Sequence, residues 1–237
     1  MSFKVSIILC TYNESKFIEN TVKNLNNNIS ELELVIVDDN SSDGTIDIIN
    51  KLNKDNRYKT VFRKRSRSLA SAFVRGITET SGDYIGWIDT NQSELAPKFN
   101  VMIKELETDS DIVVMSRYVS GGGDERLLLR SLASKYFNLF ARFVLRIPVK
   151  DLTNSIFLMK RKVLDEVTFL GYGHGEFFFE FLYNAHKKGF KIKEIPHIQK
   201  RDQNAQDSKS APNLFKFLYH GAMYVFRIFS TILRRKN

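Results

Sequence analysis

From Lys4 to Asp89 the chain alternates between short apolar runs and segments of helical period, and this alternation restricts the fold more than any other feature. "KVSIILCT" (4–11), "LELVIVDDN" (32–40), "YKTVFR" (58–63) and "DYIGWID" (83–89) are rich in β-branched and aromatic residues and read as strands. The intervening segments, 15–29, 41–54 and 68–80, read as helices. Phe17, Ile18, Val22 and Leu25 recur near helical spacing, and Ser and Asp residues mark the start of the second helix. Such alternation predicts an α/β architecture, a mostly parallel sheet flanked by helices. In such sheets ligands bind at the carboxyl ends of the strands. Here those ends carry "CTYNE", "DDNSSDGT", "FRKR" and "DTNQSE", all polar and chemically rich.

The second half has another character. "DIVVMSRY" (111–118) reads as a strand, and "GGG" at 121–123 as a flexible break. Residues 126–147 form a long amphipathic helix in which Arg126, Arg130, Ser134, Asn138, Arg142 and Arg146 recur every four residues, a stripe that spirals slowly round the helix. Residues 151–167 read as a strand and helix, 175–189 as a helix, and 190–200 as a strand. A second amphipathic helix follows from Asn213 to 235. The expected division is a domain over 1–210, including the 126–147 helix, and a C-terminal amphipathic helix within 211–237. The opening lacks the charged and apolar regions of a secretory leader, so the chain is expected to begin directly with its domain. The lone Cys10 makes no internal disulfide.

The formal net charge is +9, and much of it is local, as in "FRKRSR" at 62–67 and "RRK" at 234–236. Nucleic acid, an anionic membrane surface and a sugar nucleotide are all candidate partners for such clusters, beside simple solvation. Nucleic acid rests on charge alone, without aromatic stacking platforms or a recognisable module, and is not expected as a partner. The two amphipathic helices pose a separate choice between packing on the domain and lying in a membrane interface. A span of 213–235 is disfavoured by Lys216 and Arg227, since central charges cost roughly 2.5–3.5 kcal/mol each on insertion scales. An in-plane helix would keep those charges at the headgroups.

Several stretches carry chemistry. Asp38 and Asp39 end a strand, where carboxylates can accept hydrogen bonds from a nucleobase and a ribose. Thr11, Tyr12, Asn13 and Glu14 supply an aromatic face, an amide and a carboxylate beside them. Arg63 and Arg67 can grip a diphosphate. Asp89 opens a run of oxygen-bearing side chains through Glu94, in which Asn91 stands where a second carboxylate would suit a metal better. His174, His186, His197 and His220 are scattered, and none sits in an arrangement suited to a general base.

Taken in order, these stretches resemble the family-2 glycosyltransferases of the GT-A, Rossmann-like fold. "VSIILCTYNE" is similar to that family's opening strand and nucleotide-binding turn, and "VIVDDNSSDGT" to its second signature. "GDYIGWIDTN" falls where the family keeps a metal-binding D-x-D. "SRYVSGG", "RSLASKYFN" (130–138) and "EIPHIQKRDQNAQDSK" extend the resemblance to the dolichyl- and polyprenyl-phosphate hexose synthases. The sequence departs from the pattern at Asn91, at Ser93 in place of a glutamine, across 68–72, and across 153–157, where an arginine is lost.

The resemblance implies an inverting transfer of a hexose from a nucleotide-diphosphate sugar, of GDP-mannose or UDP-glucose type, to dolichyl or polyprenyl phosphate. It implies Mg²⁺ or Mn²⁺, weakly held, on Asp89 and Asn91, with Asp89, Asn91 and Arg117 catalytic. Donor binding falls to Thr11, Tyr12, Asn13, Glu14, Asp38, Asp39, Arg63 and Arg67. Arg117, Arg130, Ser134 and Lys135 match the acceptor-phosphate positions, and Glu180, Arg201, Ser208 and Lys209 match further family positions. A peripheral location on the cytoplasmic face of a membrane follows. Two alternatives stay open: transfer to a growing surface glycan, and a non-catalytic nucleotide-sugar-binding relative.

Overall fold

The computed structural model describes residues 3–201, apart from 55, 66 and 174, together with residues 214–234. Seven strands form one sheet: β1 (Val5–Thr11), β2 (Leu32–Asp38), β3 (Lys59–Phe62), β4 (Tyr84–Trp87), β5 (Ile112–Ser116), β7 (Phe157–Lys160) and β8 (Ile192–Pro196), in the order β3-β2-β1-β4-β7-β5-β8. A small parallel pair, β6 (Gly123–Asp124) and β9 (Ile198–Gln199), lies apart from it. The sheet is parallel except at β7, which runs antiparallel between β4 and β5. Gly86 in β4 makes that insertion possible. A Cβ there would lie 2.7 Å from the Phe157 carbonyl oxygen.

Helices α1 (Ile18–Asn28), α2 (Thr45–Leu52) and α4 (Lys98–Glu107) cover one face, and α3 (Leu69–Ile77) and α6 (Glu176–Lys187) the other. Strand residues alternate between the two layers, Leu34 and Ile36 entering one and Val35 and Val37 the other. Both faces are therefore apolar, which is why the strands read as near-continuous hydrophobic runs. The α3–α6 layer is aromatic: Phe73 stacks on Trp87 at 5.3 Å and Trp87 on Phe177 at 5.7 Å.

Two sequence expectations need correction here, and one helix was missed. After β7 the chain makes only a 3-10 turn, Arg161–Asp165, not a full helix. The strand expected at 190–200 breaks at buried His197 into β8 and β9. Helix α4 was not anticipated, although Phe99, Met102 and Leu106 have helical spacing and are buried.

The two long helices, α5 (Leu128–Leu145) and α7 (Leu214–Arg234), adjoin one another, with Phe137 against Tyr224 at 5.3 Å and Phe140 against Phe229 at 6.5 Å. The polarity of α5 is inverted relative to a domain helix. Its polar stripe turns inward, Asn138 being 1% exposed, while Leu128, Leu132, Tyr136, Leu139 and Phe143 face outward, the last 83% exposed. On α7, Phe226, Phe229 and Leu233 are exposed, whereas Arg227 and Thr231 are buried.

Candidate functional site

At the carboxyl edge of β1 and β2, two turns interlock. The Asn13 backbone, at φ 55°, donates to Ser41 Oγ at 2.8 Å, and Ser42 N donates to Asn13 Oδ1 at 2.9 Å. Glu14 N donates to Thr45 Oγ1 at 2.8 Å, and Ser15 N to Asp43 Oδ2 at 3.1 Å. Asp38 is fully buried and accepts from Thr11 Oγ1 and from Ser41 N, each at 2.8 Å. Asp38, expected as a donor contact, is engaged within the turn itself. Its carboxylate is consumed in shaping the turn, as is the buried hydroxyl of Thr11. Ser41, Asp43 and Thr45, not singled out in the sequence, hold the two turns together, and their Asx-type spacing was the available signal.

Asp39 and Arg63, expected to touch base and diphosphate separately, form one bidentate ion pair. Arg63 Nε donates to Asp39 Oδ1 at 2.6 Å and Nη2 to Oδ2 at 2.7 Å. The same guanidinium reaches Ser71 Oγ at 2.8 Å and the Ser68 carbonyl at 3.1 Å. Arg63 thus anchors the start of α3 to the end of β2. The exposed Arg67 lies over the Tyr12 ring at 4.6 Å, so Tyr12, Asp39, Arg63 and Arg67 border one edge.

Asp89, two residues past β4, caps a 3-10 turn, Thr90–Leu95, that is kinked at Gln92. Asn20 of α1 donates to Ser93 Oγ at 2.8 Å and pins the turn. Ser93, which stands where the related pattern has glutamine, therefore points into the protein. Burial, and then the charge of Glu14, push the Asp89 carboxyl up to about 6. A hard divalent cation beside Asp89 would relieve the repulsion between the two carboxylates. Asn91 is exposed and has no side-chain hydrogen-bond partner among the described residues. The donor set suits a cation held largely by its own waters and a ligand phosphate. Among the described residues, no three His, Cys, Asp or Glu side chains form a ready-made metal cluster.

Arg117 follows β5 and is buried. Its Nε and Nη2 donate to the two oxygens of Asp151, each at 2.7 Å, and Nη2 also reaches Thr153 Oγ1 at 2.6 Å. Asp124 stands 3.6 Å from Nη1. Burial opposes the charge on Asp151, but Arg117 outweighs it and holds the carboxyl below its usual range. Nε and Nη2 of Arg117, expected at the acceptor phosphate, are engaged by an internal carboxylate, while Nη1 has only Asp124, at 3.6 Å, among the described residues. Arg130 and Ser134 lie half-buried on the inward stripe of α5, and Lys135 is exposed beside them. Tyr118 Oη donates to Ser134 Oγ at 3.0 Å.

Glu180 of α6 is buried and pairs with Arg227 of α7, whose guanidinium also lies 4.0 Å from the centre of the Tyr172 ring. The headgroup placement expected for Arg227 is therefore corrected: a buried carboxylate on α6 draws it inward. Arg201 is exposed, and Ser208, Lys209, Lys216, His174 and His220 lie outside the described residues or side chains.

A twisted sheet with one inserted antiparallel strand, and two acidic turns gathered at its carboxyl edge, defines the GT-A class of α/β fold. Glucosyl-3-phosphoglycerate synthase from Mycobacterium tuberculosis, solved with UDP, matches over 97% of this chain and 80% of its own, with a TM-score of 0.73 and 16% identity. Its complex with Mn²⁺, UDP and glucosyl-3-phosphoglycerate matches with a TM-score of 0.70. The chain belongs to glycosyl transferase family 2, whose sequence pattern matches residues 6–168. It is 30% identical over 227 residues to a dolichol-phosphate mannosyltransferase of Pyrococcus furiosus, covering 92% of this chain and 62% of that protein. A polyprenol monophosphomannose synthase of Mycolicibacterium smegmatis is 24% identical over 80% of this chain and 75% of its own. The chain thus spans less than two thirds of its Pyrococcus relative.

Proposed function

We propose that this protein transfers a hexose from a nucleotide-diphosphate sugar to a polyprenyl or dolichyl phosphate at a membrane surface, with inversion at the anomeric carbon. The observation that carries this reading is the inverted polarity of α5. Its inward stripe brings Arg130 and Ser134 toward the end of β5, while its opposite side, with that of α7, presents a wide apolar surface. Among the described residues no helix is long and apolar enough to cross a membrane. Two adjoining amphipathic helices with outward Leu and Phe suit in-plane docking, with the polyprenyl chain in the bilayer and its phosphate beside α5. Exposed Lys135 and Arg146 suit an anionic, cytoplasmic leaflet. The names of the two polyprenol-linked relatives support the same acceptor class.

The chemistry asks little acid–base work of the protein. A phosphate monoester has a second pKa of about 6, so the acceptor arrives mostly as a dianion and needs no general base. Its oxygen displaces the nucleotide diphosphate in line, and cationic side chains on α5 orient it. Tyr12 and Asp39 face the base and ribose, with Arg67 reaching the diphosphate. Asp89, with the Asn91 amide, would hold Mg²⁺ or Mn²⁺, which supplies charge neutralisation to the departing diphosphate when bound. A transfer screen tests the reading: purified protein, polyprenyl phosphate in vesicles, and radiolabelled GDP-mannose, UDP-glucose or an amino-sugar nucleotide. Label in the lipid phase from one donor is expected. Label in none of them, with an intact fold, would refute the acceptor class.

A further inference from the structure

The end of β5, the segment before β7 and the inward face of α5 are joined by one continuous hydrogen-bonded network. Asp151, fully buried, takes the Arg117 fork and also accepts from the Arg117 backbone N–H at 2.9 Å. Its own backbone N–H donates to Glu194 on β8 at 2.9 Å. Thr153 Oγ1 is the junction. It accepts from Arg117 Nη2 at 2.6 Å and from Asn138 Nδ2 at 2.9 Å, and lies 3.4 Å from Ser134 Oγ. Asn138 donates to the Ser134 carbonyl at 2.8 Å and accepts from Leu152 N at 2.6 Å. Asn138, Ser134 and Arg130 are four residues apart on the same stripe, so whatever fixes Asn138 fixes the azimuth of the other two.

We propose that Thr153 and Asp151 are positioning residues for the acceptor phosphate. They hold the Arg117 guanidinium in place and, through Asn138 and Ser134, set the rotation of α5 that aims Arg130 at the phosphate. The proposal rests on the polyprenyl-phosphate reading above.

The test is steady-state transfer by the full chain, with polyprenyl phosphate in vesicles and whichever nucleotide sugar serves as donor. Thr153→Val keeps the shape and removes the junction hydroxyl. Its KM for polyprenyl phosphate is expected to rise on the order of fivefold, the size one lost hydrogen bond gives, with the donor KM unchanged. Thr153→Ser restores the parent value, and Tyr118→Phe, which frees Ser134 Oγ from another side, shifts the acceptor KM in the same direction. Thr153 acts through Arg130, so the Thr153→Val effect should largely vanish in an Arg130→Ala background. Additive effects in that cycle, or a lowered melting temperature with both KM values unaltered, would overturn the positioning role while leaving the transfer reading intact. Wild-type protein that labels no polyprenyl phosphate would overturn the reading and the inference together.

Discussion

Removing Arg227 from α7 separates two accounts of that helix by a measurable amount. Arg227→Met keeps the length and apolar stem but leaves Glu180 buried without its main counter-charge. Both partners are nearly inaccessible, with side chains 6% and 5% exposed. Breaking one side of a buried pair costs about 3–5 kcal/mol. Arg234 Nη2 remains 3.5 Å from Glu180 Oε1 and supplies partial compensation, which favours the lower end. Loss of the stack on Tyr172 destabilises by about 1 kcal/mol more. A net loss of ~3–4 kcal/mol lowers the melting temperature by about 6–16 °C at ~2–4 °C per kcal/mol for a domain of this size. The double variant Glu180→Gln/Arg227→Met should recover most of that, since the costly species is the unpaired carboxylate rather than the absent bond. Denaturant titrations of the four proteins give the coupling directly. Were Arg227→Met within ~0.5 kcal/mol of the parent, as ordinary surface changes are, and at the same time poorly retained on anionic liposomes, Arg227 would belong at the headgroups and the inward placement would be refuted.

Asp89→Ala should abolish transfer and Asn91→Asp should lower the Mg²⁺ or Mn²⁺ concentration for half activity; activity indifferent to EDTA and to both changes would end the metal assignment. Asp39→Ala and Arg63→Ala should each weaken nucleotide-sugar binding in calorimetry, and the double variant should be little worse than either, because the two form one unit; strict additivity would argue for separate contacts. Leu139→Glu and Phe143→Glu should reduce liposome association while changing stability by less than about 0.5 kcal/mol, as exposed positions do; undiminished pelleting would remove α5 from the interface. Glu33 is held well below the usual carboxylate range: burial opposes this, but hydrogen bonds from Ser6, Ser81 and Lys59 outweigh it. A depressed folded-state value means stability present above the unfolded value of about 4.3 and lost as pH falls below it. Glu33→Gln should therefore be less stable than the parent at pH 7 and lose less on acidification from pH 5 to 3, and an unchanged acid slope would refute that contribution.

Much of this protein is determined locally. Val5–Thr11, Leu32–Asp38 and Ile112–Ser116 announce themselves as strands because both faces of the sheet are covered, so nearly every side chain must be apolar. The turns at 11–15 and 38–45 were legible as turns because Asx and Ser residues at those spacings close turns at strand ends. The period of α5 was equally plain, and so was its stripe from Arg130 to Asn138. Tertiary structure alone decided which side of that stripe faced the protein, since an amphipathic pattern is the same whichever face is buried. It also decided that β7 enters the sheet antiparallel, because strand partners are chosen by non-local contacts such as the close approach of the Phe157 carbonyl to Gly86. Finally, it decided the fate of the charges. Asp39 meets Arg63 across 24 residues, Arg117 meets Asp151 across 34, and Glu180 meets Arg227 across 47. A buried charge must find an opposite charge nearby in space, and where along the chain that partner lies is set only by the folded path.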